Sequence, residues 1–136
     1  MVYYTFSIII CLIYENQGDR VITDAKWLSA LLEQIISNAV KYTKNGKVKI
    51  SFDREKNRLV ISDSGIGIRS EDIPKIFDKG YSGFNGRLNQ KSSGIGLYMV
   101  KKIAHKLSIT IDVESEVGKG SSFFIYFNEL HRKNGV

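Results

Sequence analysis

After Trp27 an apolar series runs through Leu28, Leu31, Leu32, Ile35, Ile36 and Ala39. Their recurrence at i, i+3, i+4, i+7, i+8 and i+11 predicts a helix with one buried face. Thr23-Asp24 supplies its N-terminal cap and Asn45-Gly46 its end. The period then changes. Val48, Ile50 and Phe52 alternate with Lys47, Lys49 and Ser51, and the polar loop 53–57 leads into Leu59-Val60-Ile61, an antiparallel hairpin. Ser70-Glu71-Asp72 is expected to open a short helix through Phe77. Leu97, Val100, Ala104 and Leu107 mark another helix, Ile109 to Val113 a strand, Gly118-Lys119-Gly120 a turn, and Ser122 to Phe127 the last strand. Near the start, the β-branched run around Phe6 to Ile13 is shorter than the roughly 20 residues a membrane-spanning helix needs, and reads as a buried strand. A second short strand is expected at Arg20-Val21-Ile22. Strands and helices are segregated, which predicts an α+β two-layer sandwich: helices on one face of a mixed, mainly antiparallel sheet.

Composition narrows the class. The 136 residues suit one domain, and 43% hydrophobic residues with 11% aromatics exclude intrinsic disorder. A lone cysteine, Cys11, excludes a disulfide scaffold and a structural zinc site. The net charge of +6 points toward an anionic partner. Nucleic acid is a poor fit, because most of the aromatics fall on expected core elements rather than beside a basic stripe.

Three constellations carry candidate chemistry. Asp63-Ser64-Gly65-Ile66-Gly67-Ile68 places a carboxylate at a strand end, followed by glycines that let a ligand approach the backbone. Such a carboxylate can accept from an exocyclic amine. Ser92-Ser93-Gly94-Ile95-Gly96-Leu97 leads from a glycine-rich stretch into a helix, whose N-terminus favours anions. At about 100° per residue, Gln34, Asn38 and Lys41 share one stripe beside the apolar face of the first helix, with Tyr42 at its edge. Asn38 offers a carbonyl oxygen to Mg²⁺, Lys41 a cation to phosphate, and Tyr42 a ring to a purine. Taken singly, an Asp-Gly turn, an ordinary helix cap and a solvated helix flank explain each of them.

Together and in order, they resemble the catalytic ATP-binding domain of bacterial sensor histidine kinases, which shares the Bergerat fold with Hsp90, gyrase B and MutL. The N box resembles Ser37-Asn38-Ala39-Val40-Lys41-Tyr42-Thr43, and the G1 box Asp63-Ser64-Gly65-Ile66-Gly67. The F box resembles Ile76-Phe77-Asp78-Lys79-Gly80-Tyr81, the G2 box Ser93-Gly94-Ile95-Gly96-Leu97, and Gly118 to Phe123 the closing turn. The segments Asp24 to Leu28, Glu33 to Asn38 and Gly80 to Arg87 are similar to the intramembrane-sensing kinases of the bacitracin type.

The resemblance implies ATP and Mg²⁺ as cofactors. Asp63 would receive adenine N6 with Gly65, Gly67 and Ile68 around the base. Asn38 and Gln34 would hold the metal, with Asn38 and Lys41 as the catalytic pair. Tyr42, Phe77, Lys79, Arg87, Lys91, Ser93, Gly94, Ile95, Gly96 and Leu97 would complete the nucleotide site. It implies a lid over 79–93 within an ATP-binding domain over 20–128, an upstream remnant over 1–19 and a tail over 129–136.

Two positions depart from the pattern: Gln34 stands where the family has Asn, and Ser92 where it has Gly. In the ATPases of this fold a Glu at the position of Gln34 activates water, and Gln cannot act as that base. Phosphoryl transfer fits better than hydrolysis; a catalytically weak nucleotide-binding module is the alternative. Neither His105 nor His131 lies in an acceptor motif. The expected partners are therefore a histidine-containing dimerisation domain and a response regulator. The chain is expected to be the soluble cytoplasmic part of a membrane-anchored kinase that dimerises only at full length.

Overall fold

The computed structural model describes residues 24–81 and 96–128, together with the backbone of residues 10–14. The expected strand over 20–22, most of the lid and the C-terminal tail lie outside the described residues.

Five strands form one sheet: β1 (Ile10–Tyr14), β2 (Gly46–Asp53), β3 (Arg58–Asp63), β4 (Thr110–Glu116) and β5 (Gly120–Tyr126). Their order is β1-β2-β3-β5-β4, so β3 is central. The β1–β2 pair is parallel and the other three are antiparallel. Among the described residues two helices, α1 (Ala25–Lys41) and α2 (Gly96–Lys106), accompany the sheet. Register decides which strand residues meet them. Ile50 pairs with Ile61 and Ile61 with Phe123, while Leu59 pairs with Ile125, so these side chains share one face. That face packs with Leu31, Ile35 and Ala39 of α1 and Val100, Ile103 and Ala104 of α2 in a single core. The sandwich read from the pattern is the one observed.

Helix α1 starts where its sequence allows. Asp24 Oδ1 accepts from the backbone N–H of Lys26 at 3.0 Å and of Trp27 at 3.2 Å, partnering donors the helix leaves unpaired. It ends earlier than expected, at Lys41 with Tyr42 as its cap, because Gly46 is already needed to open β2.

The helix expected over 70–77 is a correction. Only a 3₁₀ turn, Ile73–Lys75, forms there. Pro74 has no N–H for an α-helical bond, and the neighbouring amides close shorter loops: Lys75 N–H to Asp72 at 2.8 Å and Asp78 N–H to Lys75 at 2.9 Å. The last hairpin is also longer than expected, since Gly120 and Ser121 already pair with Glu116 and Ser115.

Among the described residues, no helix is long and apolar enough to cross a membrane.

Ile61 is fully buried on the central strand, between both neighbouring strands and under the helices. Ile61→Ala should cost about 2–5 kcal/mol of unfolding free energy. Val117→Ala, at a position 61% exposed, should stay within about 0.5 kcal/mol. Urea unfolding of the two variants checks the contrast.

Candidate nucleotide-binding site

Asp63 ends the central strand, paired with Val48 on one side and Ser121 on the other. Its carboxylate is largely withdrawn from water. Burial raises its pKa above the ordinary carboxylate value, and the N–H groups of Gly65 and Ser121 offset only part of that. Both amides donate to Oδ1, at 2.9 and 3.3 Å. Oδ2 has no protein donor among the described residues, so one carboxylate oxygen remains to accept from a ligand.

The loop after Asp63 is bound into the site from three directions. Ile66 N–H donates to the Tyr42 carbonyl at 3.2 Å, tying the loop to the end of α1. Gly118 N–H donates to the Ile66 carbonyl at 2.8 Å, tying it to the β4–β5 turn. Ser64 Oγ accepts from Lys47 N–H at 2.8 Å, tying it to β2. These crossings explain the glycines. A Cβ on Gly65 would run into the Tyr42 carbonyl and stand 2.8 Å from Thr43 Oγ1; Gly67 has φ +76° and faces the Glu116 carbonyl.

The α1 stripe forms as read. Gln34 is exposed, Asn38 and Lys41 half-buried, and Lys41 Nζ lies 5.4 Å from the Tyr42 ring centroid. Gln34 also meets the second constellation: a Cβ on Gly96 would stand 2.8 Å from Gln34 Oε1. The N-terminus of α2 is thereby set beside the α1 stripe, and Leu97, half-buried, continues from it. The carboxylate and the glycine loop thus meet the end of α1, and the start of α2 meets the same helix at Gln34.

Other candidates sit differently. The Phe77 ring packs edge-on against core Phe123 at 6.5 Å, and Ile68 presents its backbone N–H to Ser115 Oγ at 2.7 Å. Lys79 is exposed, with Nζ 6.0 Å from the Tyr98 ring of α2. Arg87, Lys91, Ser93, Gly94 and Ile95 lie outside the described residues.

The structure adds groups that sequence reasoning missed. Ser121 N–H holds Asp63, and Ser115 holds Ile68. Asp72 is buried and accepts from Arg69 Nε at 2.8 Å, while Arg69 Nη1 lies 3.3 Å from Glu71. Burial raises the pKa of the Tyr81 phenol, as do the charge of Asp72 and a hydrogen bond to it, so the buried Asp72 fixes the residue that leaves the F box. The paired acids and arginine at 69–72 were the available signal. For Ser115 and Ser121 there was none, because their partners come from strand register.

The chain belongs to the family described as histidine kinase-, DNA gyrase B- and HSP90-like ATPases, whose model matches residues 23–131. It is similar to the sensor protein BceS of Bacillus subtilis (strain 168), 43% identical over 113 residues, covering 82% of this chain and 34% of that protein. The sensor histidine kinase YxdK of the same strain is 43% identical over 107 residues, covering 76% and 33%. The chain thus spans about a third of the length of these curated relatives. Among solved structures, the mycobacterial sensor histidine kinase MprB shares the fold with a TM-score of 0.75 at 23% identity, over 85% of this chain and 81% of that one.

Since the Asp63 pKa is raised in the native state, the folded chain holds that proton more tightly than the unfolded chain does. Stability therefore falls as pH rises from the ordinary carboxylate value through the raised one, and the penalty persists at neutral pH. Asp63→Asn should raise the melting temperature at neutral pH, and the advantage should vanish on acidification below the ordinary carboxylate range. Thermal unfolding of both proteins across that range measures it.

Proposed function

We propose that this chain binds Mg-ATP and serves as the phosphoryl-donating module of a two-component sensor histidine kinase. Family membership supports ATP as the ligand. The observation that carries the reading is the Asp63 carboxylate, anchored through Oδ1 and open at Oδ2, joined by one glycine loop to the α1 stripe and the start of α2.

In this reading Asp63 accepts from the adenine amine, and the absence of side chains at Gly65 and Gly67 lets the base lie close to the backbone. The amides that open α2 at Gly96 and Leu97 face the phosphates, where the helix dipole favours negative charge. Lys41 adds a cation on the α1 side. Asn38 and Gln34 fit Mg²⁺ by donor type: both carry neutral amide oxygens, one helical turn apart, and the nucleotide would bring the negative charge a hard cation needs. When bound, the metal would supply charge neutralisation on the transferring group.

Gln34 is a carboxamide and cannot take a proton from water, so the nucleotide is held without a base poised to hydrolyse it. The γ-phosphoryl group then goes to an acceptor brought by a partner. We assign that acceptor to a histidine on a dimerisation domain, with a response regulator downstream. A membrane-anchored kinase of the bacitracin-responsive type is the setting proposed for it. In the full kinase, Arg87, Lys91, Ser93, Gly94 and Ile95 would close the phosphate side, with Phe77 supporting the site from the core.

Calorimetric titration with Mg-ATP and Mg-ADP tests the assignment. Asp63→Asn should weaken both by at least about tenfold, the scale of one lost charge-assisted hydrogen bond. Unchanged affinity would overturn it. For the unmodified chain, affinity should also fall on acidification as Asp63 takes up a proton and its acceptor is lost.

Phosphoryl transfer is tested by adding a separate histidine-bearing dimerisation domain with radiolabelled ATP. Label is expected on that domain and not on the exposed His105. Nucleotide binding without transfer would leave the non-catalytic module as the reading.

A further inference from the structure

Ser115 lies on β4, away from every motif that points to a nucleotide. The alternation of β4 places it, with Ile111 and Val113, on the face toward the helices. Its hydroxyl makes three contacts: Ile68 N–H at 2.7 Å, the Gly120 carbonyl at 3.0 Å and Ser121 Oγ at 2.8 Å.

A hydroxyl has one proton, so all three contacts are hydrogen bonds at once in a single arrangement. The Ile68 amide can only donate, so Ser115 accepts there. The Gly120 carbonyl can only accept, so Ser115 donates there. Its proton is then committed, and the bond to Ser121 must be donated by Ser121. The Ser121 oxygen is left as an acceptor, on the residue whose amide holds Asp63 Oδ1. Acceptors therefore line this end of the site, matching a base that carries an amine and opposing one that carries a carbonyl in its place.

We propose that Ser115 is a positioning residue of the nucleotide site. It holds the exit of the glycine loop at Ile68 and commits the Ser121 proton, so that the pocket selects a purine with an amine donor where guanine carries its carbonyl. This rests on the ATP reading above and adds a residue on a different strand to it.

A control exists in the same sheet. Ser62 and Ser122 form another hydroxyl pair, at 2.8 Å, from the register position next to Asp63 and Ser121 and therefore on the opposite face. Losing it removes a comparable bond from the same strands without touching the site.

Ser115→Ala, Ser115→Thr, Ser122→Ala and the unmodified chain are titrated with Mg-ATP and Mg-GTP. Ser115→Ala should bind ATP about tenfold more weakly while GTP changes by less than about threefold, so the ATP-to-GTP ratio falls. Ser115→Thr keeps the hydroxyl on a strand-favouring residue and should restore the ratio to within about threefold. Ser122→Ala should leave both affinities in place.

An unchanged ratio in folded Ser115→Ala, or an equal fall in Ser122→Ala, overturns the proposal. Amide hydrogen exchange on the unmodified chain gives a reading that no variant has to fold for: Ile68 should be protected, and an unprotected Ile68 overturns it as well. If the unmodified chain binds no ATP, the reading of the site fails and this inference with it. Intact ATP binding with an unmoved ratio sinks the inference alone.

Discussion

A carboxylate withdrawn from water at the end of the central strand is the constraint on which the rest of the site depends. Desolvation disfavours the charge on Asp63, and among the described residues no cation pairs with it. Two backbone amides compensate in part, and each demands something of the fold. Gly65 can donate only if the chain turns back at once, which presses it against Tyr42 and Thr43 and leaves no room for a Cβ. Ser121 can donate only if β5 lies beside β3 in this register, which requires the chain to leave the sheet, pass through α2 and β4, and return. Local glycine chemistry and the crossover topology thus answer to one side chain.

The strain left on Asp63 has a use. A group whose charge is under-solvated in the free protein gains more from a ligand donor than one already satisfied by water. On the proposed reading, the burial that raises the Asp63 pKa is also what would favour its recognition of an amine. Thr43 shows a related economy: its buried Oγ1 has no hydrogen-bond partner among the described residues, directly under the glycine that the ligand would approach.

Much of this was legible in the sequence, and the boundary has a physical explanation. The apolar period of α1, the alternation of β2 and the Asp24 cap are local signals, and each formed as read. The order of the boxes also matches the structure in that the Asp63 loop and Gly96 both meet α1. Where the reading failed, a local rule was outweighed. Pro74 converted an expected helix into a 3₁₀ turn, and the start of β2 shortened the end of α1. Ser115 and Ser121 were invisible because a serine on a strand means nothing until its cross-strand partner is known. The positive charge is also more dispersed than the motifs implied. Lys102 and Lys106 lean over the rings of Tyr98 and Trp27 at 5.2 and 4.9 Å, so part of the basic surface packs against aromatic residues of the helices.

Helix α1 is what turns these pieces into a kinase-like arrangement. Its C-terminal end accepts from the glycine loop through Tyr42, and two turns earlier Gln34 lies against the start of α2. One helix therefore sets the spacing between the glycine loop and the start of α2, which on the proposed reading are the base end and the phosphate end. Phosphoryl transfer needs positioning and charge more than covalent chemistry, so a fixed spacing is worth more here than an additional reactive group. That is consistent with a carboxamide rather than a carboxylate at position 34. On the proposed reading, the helix carries an amide that would orient a nucleotide without activating water against it, and the phosphoryl group would stay available for an acceptor brought from outside.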